Sequence, residues 1–204
     1  MDPAQIDAAQ LVVEPATPPR WSDAERVFGT RGDPAHCWCQ WFFADSDVST
    51  TAGAANREAL RAQVQAGPPP GVLAYLDGEP AGWAAVAARP GYSRLARSQV
   101  LRGDGAEEFA DPGVWAVTCF VVRVGFRRRG VAGALLDGAV AHARAGGARV
   151  VEAYPVDVAA KGSVSSAELY HGPLSTFLAA GFREVRRARP ARPVVRLDLR
   201  GPQL

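Results

Sequence analysis

Between Val114 and Tyr154 the chain switches from one periodicity to another and back, and this switch restricts the fold more than any other feature. VWAVTCFVV (Val114–Val122) is apolar almost throughout and rich in β-branched and aromatic residues, the pattern of a buried central strand. Gly130 to Ala145 then takes a helical period, with Val131, Leu135, Ala139 and Ala143 on one face and Gly146-Gly147 ending it. ARVVEAY is the next strand, stopped by Pro155. A strand, helix and strand this close in sequence form a right-handed βαβ unit.

The flanking sequence adds antiparallel elements. QLVVE (Gln10–Glu14) is a candidate first strand, and Ser22-Asp23 reads as a helix cap before AERVFG. Asn56-Arg57-Glu58 starts a helix that runs through Gln65, with Gly67 and three prolines ending it. GVLAYL and PAGWAAVA, joined by Asp77-Gly78, read as a β-hairpin, because Asp-Gly suits the positive φ of a tight turn. Residues 89–113 are irregular, with one short helix near Ala106–Phe109. Leu174–Ala180 is a short helix, and GFREVRRA with VVRLDL makes a last strand pair. The whole describes a mixed α/β sheet in one domain of 204 residues.

Composition excludes some classes. A net charge of +2 does not indicate wholesale nucleic-acid binding. Arg186, Arg187, Arg189, Arg192, Arg196 and Arg200 read as a solvated strand face. No apolar run approaches the ~20 residues that span a bilayer, and MDPAQIDAAQ lacks the basic start and apolar core of a secretory signal. Three cysteines form no closed disulfide set. A soluble cytoplasmic protein without a membrane partner is expected.

The chemistry is expected in FVVRVGFRRRGVAGALL, where the buried strand passes through Arg127-Arg128-Arg129-Gly130-Val131-Ala132 into the helix. The first helical turn carries amides without intrahelical partners and a partial positive charge, so it suits a phosphate. Gly130, Ala132 and Gly133 let a ligand approach the backbone, and the three arginines can pair with phosphate oxygens. On composition alone a solvated basic helix start fits equally well. The turn is neither a P-loop nor a G-x-G-x-x-G fingerprint.

Arg127-x-x-Gly130-x-Ala132, after a strand and opening a helix, resembles the Arg/Gln-x-x-Gly-x-Gly/Ala signature of the GCN5-related N-acetyltransferase (GNAT) superfamily. Phe177-Leu178-Ala179-Ala180-Gly181-Phe182 resembles its closing Tyr-x-x-x-Gly-Phe segment, and the order of elements agrees. The resemblance covers about residues 70–199, with 1–69 as a variable acceptor-side region. It implies a mostly antiparallel sheet with one splayed parallel pair, and an acyltransferase moving groups other than aminoacyl. It implies acetyl-CoA as co-substrate, no metal, and a small-molecule amine as acceptor. Dimers are common in the superfamily, so a homodimer is among the implied partners. A catalytically inactive acyl-CoA sensor or interaction module is the alternative.

Carried over by position, Arg127, Arg128, Arg129, Gly130, Val131, Ala132 and Gly133 hold the pyrophosphate, and Phe120, Val121 and Val122 pair with the pantetheine arm. One strand amide polarises the thioester carbonyl while the amine attacks directly. Two positions depart from the pattern. The tyrosine that often protonates the leaving thiolate falls at Phe177, and a glutamate that some relatives use as base falls at Ala116. Glu152 and Tyr154, beside the splay, are therefore the first catalytic candidates, with Tyr170 and His171 as substitutes for the acid. Ordinary packing is the competing role for each. Cys119 reads as a core cysteine and His142 as structural. The loop Val156–Gly172, with Asp157, Lys161, Ser163, Ser165, Ser166 and Glu168, is either a lid or a surface insertion.

The segment HCWCQWF (His36–Phe42) is compositionally odd. Cys37-x-Cys39 with His36 offers too few ligands for zinc, and the familiar redox spacing is Cys-x-x-Cys. Trp38 and Trp41, with Phe42 and Phe43, are candidates for an acceptor-pocket wall or for core packing, and Trp83, Trp115 and Phe109 for the same aromatic cleft. A Cys-Trp-Cys start with a late Gly-Phe-Arg-Glu-Val resembles a bacterial group within the same superfamily.

Overall fold

A computed structural model describes residues 10–43, 53–98, 100–101, 106–165 and 168–199. Ser166, Arg200 and most of the N-terminal stretch discussed above lie outside the described residues. In chain order the elements are β1 (Leu11–Pro15), α1 (Trp21–Phe28), α2 (Gly32–Cys37), α3 (Gly53–Ala66), β2 (Gly71–Leu76) and β3 (Glu79–Ala88). Then come α4 (Ser93–Ala96), α5 (Ala106–Phe109), β4 (Val114–Val122), α6 (Val131–Ala145) and β5 (Val150–Ala153). The chain closes with α7 (Val158–Lys161), α8 (Leu174–Ala179), β6 (Arg183–Arg189) and β7 (Arg192–Asp198).

Two helix starts differ from the sequence reading. Trp21 opens α1 behind Arg20, and no side chain caps it, so Ser22-Asp23 lies inside the helix. α3 begins at Gly53, because Asn56 serves as a tie: its buried amide donates to the His36 carbonyl at 2.7 Å and joins α3 to α2. The hairpin turn is as expected, with Asp77 and Gly78 at φ 53 and 79.

The strands form one seven-stranded sheet in the order β1-β2-β3-β4-β5-β7-β6. Every neighbouring pair is antiparallel except β4 and β5, which run parallel. This parallel pair is short. Val114–Val117 match Val150–Ala153, and beyond them Thr118–Val122 pair only with β3, so their other edge is open. Thr118 is also an extra residue: Val117 faces Val86 and Cys119 faces Ala85. This bulge reverses the alternation of β4. Trp115, Val117, Phe120 and Val122 pack on the α6 face, whereas Ala116, Cys119 and Val121 lie on the other.

The helix α6 packs its fully buried Leu135 and Leu136 on one face of the sheet, in the cluster that holds Val72 and Val86. Each such leucine contributes about 1.5–3 kcal/mol by leaving water. Approach is close: a Cβ on Gly82 of β3 would lie 2.9 Å from the Leu135 side chain. α1 and α3 cover the opposite face around Trp21, Phe28, Trp38 and Trp83. The excursion between β3 and β4 closes a third cluster around Tyr92, Leu95 and Tyr154.

Candidate active site

The open edge of β4 is the floor of a cavity of about 1610 Å³. Phe120, Val121 and Val122 line it, and so do Arg127, Arg128, Gly130, Val131, Ala132 and Gly133. Gly130 caps α6 at φ 79, a left-handed conformation natural to glycine. The Ala134 amide makes the first hydrogen bond of the helix, to the Gly130 carbonyl at 3.1 Å. The amides of Val131, Ala132 and Gly133 thus have no intrahelical partner, and their residues line the cavity. Arg127 donates to the Val122 carbonyl at 3.3 Å, and among the described residues neither Arg127 nor Arg128 forms an ion pair. Arg129 does not line the cavity; it reaches back toward Asp77 at 3.8 Å.

Distant segments build the opposite wall: the turn from Phe28 to Pro34, then Cys37, Cys39 and Trp41, and finally Leu169 and Tyr170. Trp41 is a wall residue, with the Arg94 guanidinium 3.9 Å from its ring centre. Trp38 is not. It stacks on Phe28 at 4.6 Å and Trp21 at 5.9 Å, its indole donates to the Ala35 carbonyl at 2.7 Å, and it is core. Trp83 and Trp115 are likewise core residues, and Phe109 lies under the Arg89 guanidinium; none of the three lines the cavity.

The structure assigns Glu152 and Tyr154 to a different task from the expected one. Both are buried and neither lines the cavity. The Glu152 carboxylate accepts from Arg89 at 3.1 Å, Arg196 at 2.7 Å and the Tyr154 hydroxyl at 2.5 Å. Burial, and then the Glu152 charge, push the Tyr154 phenol well above its usual range. With its oxygens taken, Glu152 is a structural anchor that ties the β3–β4 excursion, through Arg89, to β5 and β7. A buried charge needs such partners.

Tyr170 does line the cavity, and its phenol is pushed up by burial, partly offset by the Arg192 charge. Its ring lies 3.9 Å from that of His171. His171 is buried against Phe42, and burial, then Arg192, hold it well below the usual imidazole range. Among the described residues, His171 Nδ1, Thr118 Oγ1 and the Tyr92 hydroxyl have no hydrogen-bond partner. Phe177 is fully buried, edge-on to Phe120 at 6.0 Å, and brings no hydroxyl to the cavity. His142 is structural, 3.0 Å from the Pro69 carbonyl and edge-on to Trp115.

The Val156–Gly172 loop folds on itself. Asp157 caps α7 and accepts from Arg187 at 2.7 Å, and Glu168 takes both Lys161 and Ser165. Arg183, Arg187 and Arg196 are ion-paired rather than free. Among the described residues no three His, Cys, Asp or Glu side chains group as a metal ion requires, and no helix is long and apolar enough to cross a membrane. The sequence reading omits the Phe28–Pro34 wall and takes Cys119 as core, whereas both line the cavity. The glycines of FGTRGDP signalled a turn, but nothing local signalled what the turn faces.

A family model described as the acetyltransferase (GNAT) family matches residues 24–171. No curated protein sequence matches significantly. Solved structures share the fold. The GNAT domain of PAT from S. lividans is 17% identical, with a TM-score of 0.54, over 97% of this chain and 100% of that one. The putative acetyltransferase yncA from Salmonella typhimurium, solved with its cofactor acetyl-CoA, is 13% identical with a TM-score of 0.54, over 95% and 96%. A polyamine N-acetyltransferase from Drosophila melanogaster is 15% identical with a TM-score of 0.53, over 93% and 100%.

Proposed function

The chain belongs to the acetyltransferase (GNAT) family, and we propose that it is an N-acetyltransferase that moves the acetyl group of acetyl-CoA to a small-molecule amine by direct attack. The observation that carries this reading is one cavity that runs from unpaired amides to an open strand edge to an aromatic wall. Acetyl-CoA suits the first two parts. Its pyrophosphate is assigned to the amides at Val131, Ala132 and Gly133, with Arg127 and Arg128 beside them. Its pantetheine arm is assigned to the open edge at Phe120, Val121 and Val122. An amide of that edge is placed to take the developing oxyanion.

The leaving thiolate needs an acid, and Phe177 has none to give. Tyr170 is the tyrosine on the wall, and its raised pKa keeps it protonated at neutral pH, as an acid must be. The acceptor wall selects by charge. Asp33 is its carboxylate and Arg31 its exposed arginine, while Arg26 is already paired with Glu79. That balance suits an amine with one cationic centre and disfavours a polycation. Trp41 supplies an apolar face.

Thermal unfolding with and without saturating acetyl-CoA tests the reading. A ligand at 100 times its Kd stabilises by roughly 2.7 kcal/mol, a rise of about 5–10 °C for a chain this size. The rise is expected for the native protein and lost in Gly130→Glu. No rise at millimolar acetyl-CoA overturns the proposal. A rise without CoA release across a panel of amines makes the protein a binding protein instead.

A further inference from the structure

We propose that Cys39 and Cys119 are a modification site: a dithiol on the acceptor side of the cavity that peroxides convert to a reversible intramolecular disulfide. Cys37, Cys39 and Cys119 are the only cysteines of the chain, they come from two distant segments, and all three line the same cavity. Two backbone irregularities bring one pair together. The bulge at Thr118 turns Cys119 onto the face that carries Val121 and packs it against the cluster that holds Trp38 and Cys39. On the other side Trp38 and Cys39 are both left-handed, at φ 46 and 53, and this corner presents the Cys39 side chain to β4. Cys119 packs against the cluster to which Cys39 belongs, and both side chains line the same cavity. Cys37 also lines the cavity but is not part of that cluster.

Exposure divides the roles. Cys119 is partly exposed and reachable through the cavity, and Cys39 is buried behind it. A peroxide ROOH accepts attack by the Cys119 sulfur, its O–O bond breaks, and Cys119 sulfenic acid and ROH result. The Cys39 sulfur then attacks that sulfenic sulfur, the S–S bond forms and water leaves. Together the two thiols lose two electrons and two protons to the peroxide, giving disulfide, ROH and water. A dithiol such as dithiothreitol reverses the step by exchange. Burial, and then the neighbouring Cys119 thiol, hold the Cys39 thiol well above its usual range. The bond fastens the corner at residues 38–41 to β4, between the open strand edge and Trp41, and so obstructs the path of the acceptor.

The loss of activity rests on the proposed transferase reading; the bond itself does not, and the two are read separately. Purified protein is treated with hydrogen peroxide, and free thiols are counted before and after dithiothreitol. They are expected to fall from three to one and to recover. A non-reducing tryptic map is expected to join peptides 32–57 and 103–123, with fragmentation placing the bond on Cys39. Cys37→Ser keeps the link and Cys39→Ser loses it. Where Cys39→Ser does not fold, the fragmentation result in the native protein decides. Three thiols that persist, or a link through Cys37, overturn the site. A linked protein that releases CoA as fast as the reduced one overturns its effect on the acceptor path.

Discussion

Apart from the hairpin residue Asp77, two corners among the described residues hold non-glycine residues in the left-handed conformation, and both border the cavity. One is the cysteine corner, with Trp38 at φ 46 and Cys39 at φ 53; the other is the arginine turn, with Arg128 at φ 58 beside Gly130. Each left-handed side chain costs roughly 1–2 kcal/mol. The cysteine corner recovers that cost inside the protein, because Trp38 and Cys39 are both buried in the tryptophan cluster. The arginine turn is exposed from Arg127 to Gly130, and among the described residues no hydrogen bond, ion pair or ring contact holds the Arg128 side chain. Equal backbone strain therefore has two meanings. A strained corner held by the core is architecture, and one left in solvent is a place for a ligand.

Trp38→Ala gives the largest effect expected from this contrast. Loss of a buried tryptophan costs about 3–5 kcal/mol, which lowers Tm by about 6–20 °C at this chain length. Calorimetry checks it, and a small drop would show that the corner does not lean on the core. Next is Glu152→Gln. It removes the charge that Arg89 and Arg196 share, at a cost of about 2–3 kcal/mol in stability. Turnover of the folded enzyme, measured well below Tm, is expected to stay within a few-fold of native. An unchanged Tm with lost turnover would restore Glu152 as a catalytic residue.

Tyr170→Phe reads the wall rather than the core. On the proposed role, loss of the general acid lowers kcat by about 10²-fold, with little change in Tm because the ring and its contact with His171 remain. Burial raises the Tyr170 pKa, so the acid stays protonated across neutral pH, and its alkaline loss of activity falls above the ordinary tyrosine range of about 10. An alkaline limb near pH 8 that survives in the variant would assign the proton to another group.

The same contrast explains which parts of this site were legible in the sequence. The arginine turn is continuous, and its features are local: strand end, glycine cap, free amides, charge. Of the ten positions that the resemblance assigns to the cofactor, nine line the cavity, and Arg129 turns toward Asp77 across the hairpin. The order of strands was legible for a related reason, since buried strands, a helix and an Asp-Gly turn each carry their own period or turn chemistry. The wall opposite the arginine turn comes from two stretches far apart in sequence, residues 28–41 and 169–170, and its content is decided by packing. Trp38 and Trp41 are indistinguishable as sequence, yet one is core and the other wall, because two left-handed residues turn the chain between them. Glu152 looked catalytic because it is an acid beside the splay. That Arg89, Arg196 and Tyr154 would occupy it depends on tertiary contacts across as many as 63 residues.

Arg128→Gly is the smallest expected effect, and it separates the two corners by sign. Glycine adopts φ 58 without the side-chain clash, which relieves about 1–2 kcal/mol. It also gives the unfolded chain more freedom, which takes back about 0.4–1 kcal/mol. Arg128 is exposed and makes no ion pair among the described residues, so no folded-state contact is lost with it. The free protein is expected to be as stable as native or more so, by at most about 1.6 kcal/mol. Acetyl-CoA binding moves the other way, because a guanidinium beside the phosphates is gone. Titration should show weaker binding by about tenfold, and calorimetry without ligand no loss of Tm. At Trp38 the same comparison gives a fall in Tm, because there the side chain that carries the strain is also the one that offsets it. A drop in the ligand-free Tm of Arg128→Gly would mean that the arginine turn, too, is held by the fold and not by what it binds.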